Sequence, residues 1–95
     1  MAAYIIVDLD IKDAGTFERY RQEVPALIRK HGGEYLVRGG AVRVYEGAWQ
    51  PKRVVLFRFP SMRAIDDFMN DPAYAELKAL RHAIADTDLV AVEGV

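Results

Sequence analysis

The chain has 95 residues, 52% of them hydrophobic and 28% charged, the make-up of one small globular domain. A formal net charge of -1, with basic residues scattered among acids, leaves no electrostatic footprint for nucleic acid or an anionic membrane, so neither is expected as a partner. Cysteine is absent, which excludes disulfides, thiolate catalysis and Cys-ligated zinc.

The N-terminal stretch "MAAYIIVDLDIKD" has no basic leader and no apolar run long enough to span a bilayer, and the expectation is a mature cytoplasmic protein. "AAYIIVDLDI" predicts the first strand, whose alternation separates Ile5, Val7 and Leu9 from Tyr4, Ile6 and Asp8. The segment from Asp13 to Gly33 puts Phe17, Tyr20, Val24, Leu27, Ile28 and His31 at helical spacing, with Asp13 as N-cap, Gly32 as the stop and Pro25 as an interior kink. "EYLVRGGAVRVYEG" predicts an extended segment with a glycine bulge or turn at Gly39-Gly40, and "GAWQPK" turns the chain back into the strand "RVVLFRF". Ser61 caps a short helix in which Ile65, Phe68 and Met69 share a face. Asp71-Pro72 restarts a helix through Tyr74, Leu77, Leu80, Arg81 and Ile84, and "TDLVAVEGV" is the last strand.

This order, βαββαβ in a single domain over residues 1–95, predicts an α+β fold: a ferredoxin-like protomer with a four-stranded antiparallel sheet. Helices cover one face of such a sheet, and Ile5, Val7, Leu9, Val55, Phe57, Phe59, Leu89 and Ala91 suit that face. The opposite face carries Tyr4, Ile6, Val54, Leu56, Val90 and Val92, too apolar to be left in water. No segment is left over to cover it, so a second copy of the chain is the expected cover and the protein is expected to be a homodimer.

The stretches "HGGEYLVRGG", "YEGAWQPKRVV", "FRFPS", "DPAYAELKALR" and "ADTDLVAVEGV" resemble domain-of-unknown-function family 1330, a member of the dimeric α/β-barrel superfamily. The resemblance runs over essentially the full chain and implies ferredoxin-like protomers paired sheet to sheet. It carries no established activity. The wider superfamily holds cofactor-free monooxygenases, lactone isomerases, haem-degrading enzymes and stress-response barrels, so the fold leaves the function open.

Candidate site residues fall into two groups. Asp8 and Arg58 lie on neighbouring strands on the same outer face, and a structural ion pair between them is the expectation, against a site there with a general base. Arg38, Tyr74, Arg81 and Asp86 belong to "LVRGG" and "AYAELKALR" with the following "AD", which match the family pattern. Arg38 beside two glycines offers a planar fork of donors to a carboxylate; Arg81 is the second donor, Tyr74 a hydroxyl or ring wall, and Asp86 the residue that holds an arginine in place. The plain alternatives are a turn charge paired with Glu34 or Glu46 for Arg38, and a helix end stabilised by Arg81 and closed by Asp86.

His31 and His82 lie on different helices with no metal-ligand spacing, His31 suiting a helix C-terminus, and no metal or cofactor is expected. Neither G-x-S-x-G nor a P-loop occurs. The sequence thus supports binding of a small anionic or aromatic metabolite, with cofactor-free catalysis left open, against a homodimeric interaction or stress-associated module without chemistry.

Overall fold

Alternating apolar residues set β1 over Ala3–Ile11, where Ala3, Ile5, Val7 and Leu9 are buried and the residues between them only half so, in a computed structural model that describes all of residues 1–95. Helix α1 (Ala14–Lys30) begins where the Asp13 carboxylate accepts from the Thr16 N–H at 3.1 Å. It ends in a Schellman turn: Gly32 at φ +79°, its N–H on the Arg29 carbonyl and the Gly33 N–H on that of Ile28. The helix continues through Pro25, and Phe17, Val24, Leu27 and Ile28 are its buried stripe. His31, the C-cap, also donates from Nε2 to Asp71 at 2.8 Å.

Strand β2 is only Glu34–Arg38, followed by β3 (Val54–Phe59), α2 (Met62–Met69), α3 (Pro72–Ile84) and β4 (Ala85–Glu93). The sheet order β2-β3-β1-β4, antiparallel throughout, is the ferredoxin-like arrangement expected. Ser61 caps α2 through the Ala64 N–H, and Asp71 caps α3 ahead of Pro72. The core lies between the helices and one sheet face and includes Phe59, Phe68, Tyr74, Leu77 and Ile84.

Two expectations about the strands are corrected. The strand-like "AVRVYEG" forms no strand: residues 40–50 are an exposed loop, and of the two alternatives at Gly39-Gly40 the turn holds, with Gly39 at φ +71°, while the bulge sits at Leu36, between Tyr35 and Val37. Helix α3 runs directly into β4, which starts two residues early at Ala85, and Ala91 is exposed on that edge strand. No helix is long and apolar enough to cross a membrane.

Candidate functional site

The bulge at Leu36 decides which way β2 points its charge. Tyr35 pairs with Phe57, Val37 with Leu56 and Arg38 with Val55. Strict alternation would put Tyr35 and Arg38 on opposite faces; the extra residue shifts the phase, so both stand on the side that meets the helices. Tyr35 packs on Phe57 with ring centroids 4.6 Å apart, and the Arg38 guanidinium lies 4.3 Å above the Tyr35 ring.

Pro25 holds the other end of that arginine. Lacking an N–H, it cannot donate to the carbonyl of Arg21 one turn earlier, and that carbonyl accepts from the Arg38 Nη2 at 3.4 Å. Neither Glu34 nor Glu46 pairs with Arg38: Glu34 takes Arg58 at 3.4 Å. Gly39, at φ +71°, then turns the chain, and a Cβ there would collide with the Arg53 guanidinium that packs across it.

These groups surround a cavity between the sheet and the helices. Its volume is about 40 Å³, room for a small polar group rather than a whole ligand, and it opens to solvent at its mouth, where the rest of a bound molecule would lie. Apolar walls come from Ile5, Val7, Val55, Phe57, Phe17 and Phe68; the polar lining is Tyr20, Tyr35, Tyr74, Arg21, Arg38, Arg53 and Arg81, with no carboxylate among them. Arg21 is already matched to Glu18 at 2.7 Å. Arg38, Arg53 and Arg81 have no acidic partner at all.

Arg81 is the sharpest case. It is 3% exposed, its Nε has no hydrogen-bond partner, and its single polar contact is a 3.4 Å donation to His82 Nε2. A guanidinium stays charged under any protein condition, so this charge cannot be relieved by losing a proton. In the lining of the same cavity the Tyr20 and Tyr74 hydroxyls are 3.1 Å apart. Burial and the neighbouring Tyr74 push the Tyr20 phenol well above its ordinary range, so it remains a protonated donor. Burial also raises Tyr35, against the opposing charge of Arg38.

Three of the four residues singled out in sequence, Arg38, Tyr74 and Arg81, therefore meet in one cavity. Asp86 does not. Ala85 is buried toward the core, so its neighbour Asp86 faces away, opposite Asp10 in the sheet and 3.8 Å from Lys12. Tyr20, Tyr35 and Arg53 went unmarked; the spacing of Tyr20 and Val24 on the core stripe, together with Pro25 freeing one carbonyl, was the available signal.

The Asp8–Arg58 pair is also corrected. The two strands are antiparallel neighbours, but Asp8 stands opposite Val54 and Arg58 opposite Tyr4, at different ends of the ladder. Asp8 instead accepts from Trp49 Nε1 at 3.0 Å and from the Lys52 and Arg53 N–H groups at 2.9 and 3.3 Å, pinning the long loop onto the sheet. Partial burial pushes its pKa up, but these three donors outweigh it and hold the carboxyl below its ordinary value.

Among solved structures, the chain is similar to a protein of unknown function from Rhodopseudomonas palustris, at 16% identity and a TM-score of 0.79 over 99% of this chain and 82% of that one. A dimeric ferredoxin-like protein from Jannaschia is matched at 16% identity and 0.65, over 99% and 100% of the two chains. SnoaB, a cofactor-independent oxygenase from Streptomyces nogalater, is matched at 10% identity and 0.65, over 99% and 93%. These likenesses establish the fold; no curated protein matches the chain. In sequence, residues 2–95 match the family described as Domain of unknown function (DUF1330), and the chain belongs to that family.

Proposed function

We propose that this protein binds a small organic anion with an apolar or aromatic body in the cavity between sheet and helices. The observation that carries the reading is Arg81, a buried guanidinium with no carboxylate partner, in a cavity lined also by the half-buried Arg53 and the exposed Arg38, neither paired with an acid, and by no carboxylate. Leaving a buried charge unpaired costs about 3–5 kcal/mol, so an anion that reaches Arg81 recovers a comparable amount, and the aromatic walls supply the rest of the affinity. The likeness to SnoaB supports extending this reading to a cofactor-free enzyme. Oxygen uptake no greater than blank across a panel of phenols would count against that extension.

The assembly that accompanies this reading is a homodimer through the outer sheet face. Tyr4, Ile6, Val54 and Leu56 are only half-buried there, and Val90 and Val92 are 58% and 48% exposed. The Jannaschia relative, described as dimeric, supports the arrangement. That face would serve equally a homodimeric interaction or stress-associated module without catalysis; the unpaired guanidiniums favour ligand binding, since a purely structural dimer has no use for them.

Arg81→Met separates the two readings because it acts with opposite signs on stability and binding. Removing an unpaired buried charge while keeping an apolar stem should leave the melting temperature equal or higher. The same change should abolish the thermal stabilisation given by 4-ethylbenzoate, which follows RT ln(1 + [L]/Kd). A variant that melts lower and still responds to the probe would sink the proposal.

A further inference from the structure

The cavity has more hydrogen-bond donors than its own residues can satisfy, and the surplus is not confined to the arginines. Tyr20 and Tyr74 share one hydrogen bond, at 3.1 Å. Two hydroxyls carry two protons, and one bond uses one of them. No other protein group bonds either hydroxyl, so the pair always keeps one O–H to offer. Tyr74 is 1% exposed and packs on Phe68 with ring centroids 4.5 Å apart, whereas Tyr20 is only half-buried. Either hydroxyl can donate to the other, and with Tyr74 fully buried and Tyr20 half-buried, the Tyr20 proton is the one that an occupant of the cavity can reach when Tyr74 donates to Tyr20. A bond received from Tyr74 also strengthens Tyr20 as a donor.

Resting on the anion reading above, we infer that the ligand is an aromatic carboxylic acid bearing a second, carbonyl-type oxygen: the carboxylate belongs to Arg81 and Arg38, and the second oxygen accepts from Tyr20. The cavity's chemistry restricts the alternatives. A second amino or ammonium group on the ligand would meet only guanidiniums and protonated phenols, with no carboxylate in the lining to receive it. A ligand lacking the second oxygen would leave the Tyr20 O–H buried without an acceptor, and sites built to bond a substrate oxygen reject analogues that lack it. Phe57, Tyr35 and Phe68 line the same cavity, Tyr35 packed on Phe57, and give an aromatic ligand body rings to pack on. Tyr20 is the contact residue and Tyr74 a positioning residue that orients it.

The test uses 3- and 4-acetylbenzoate against 3- and 4-ethylbenzoate, which match them in shape but lack the ketone oxygen, titrated into the full-length protein by calorimetry. One acetyl isomer should bind roughly tenfold more tightly than its ethyl partner. Read as the ratio of acetyl to ethyl affinity within each variant, Tyr20→Phe should erase that advantage and Tyr74→Phe should reduce it, with the ethylbenzoates bound by Tyr20→Phe no more weakly than by the wild type, because the unsatisfied hydroxyl is gone. A merely structural role for either tyrosine would weaken all four probes together, which overturns the inference. Equal binding of acetyl and ethyl compounds by the wild type overturns it as well while leaving the anion reading standing. If no probe binds, or if Arg38→Lys and Arg81→Met bind all four as the wild type does, the anion reading and this inference fall together.

Discussion

Pro25→Ala restores the N–H that α1 lacks, and the consequences for stability and binding run in opposite directions. Proline inside a helix costs about 3 kcal/mol relative to alanine. Against this, alanine loosens the unfolded chain by about 0.4–1 kcal/mol and gives up some packing of a half-buried ring. The net expectation is a gain of about 1–2 kcal/mol, or about 5–10 °C in melting temperature for a domain of this size. The restored N–H then competes for the Arg21 carbonyl that now holds Arg38 at 3.4 Å. With that anchor gone, Arg38 keeps only its contact over Tyr35, and affinity for 4-ethylbenzoate should fall about threefold to tenfold, the worth of one modest hydrogen bond. Thermal melting and calorimetric titration of the same preparation read both effects. A more stable variant with undiminished affinity would show that the freed carbonyl does not position Arg38; a less stable one would show that the helix is built to need the proline.

Leu56→Asp puts an unpaired charge in the centre of the outer face, and light scattering should report monomer or insoluble protein; a stable dimer would remove that face from the interface. Asp8→Ala and Arg58→Ala should lower stability additively, with a coupling energy below about 0.5 kcal/mol, because the two side chains have different partners; Asp8→Ala alone should also change Trp49 fluorescence. His31, Lys30 and the Ala73 N–H hold the Asp71 carboxyl well below its ordinary range. Its contribution is therefore complete above the unfolded carboxyl pKa, near 4, and is lost as pH falls toward the lower folded value, where the unfolded state binds the extra proton. The melting-temperature gap between wild type and Asp71→Asn should be widest above about pH 5 and narrow on acidification; a gap independent of pH would contradict this.

Much of the fold was legible because it rests on local chemistry. Asp13, Ser61 and Asp71 cap the helices expected of them, Gly32 ends α1, and the alternation in β1 and β3 assigns the faces of a βαββαβ sheet. Each of these signals lies within a few residues of the structure it sets. The site was legible only in part. Arg38, Tyr74 and Arg81 stood out by type and motif, yet their meeting depends on register, which is a property of two strands together. The single extra residue at Leu36 puts Arg38 beside Tyr35 on the helix side; the antiparallel offset separates Asp8 from Arg58 and sends Asp8 to Trp49; the direct passage from α3 into β4 points Asp86 away from Arg81. Side-chain period in a strand is two, so one inserted residue reverses the face of everything beyond it. Local pattern determined which elements form and which faces are apolar; only the tertiary pairing decided which charges share a cavity.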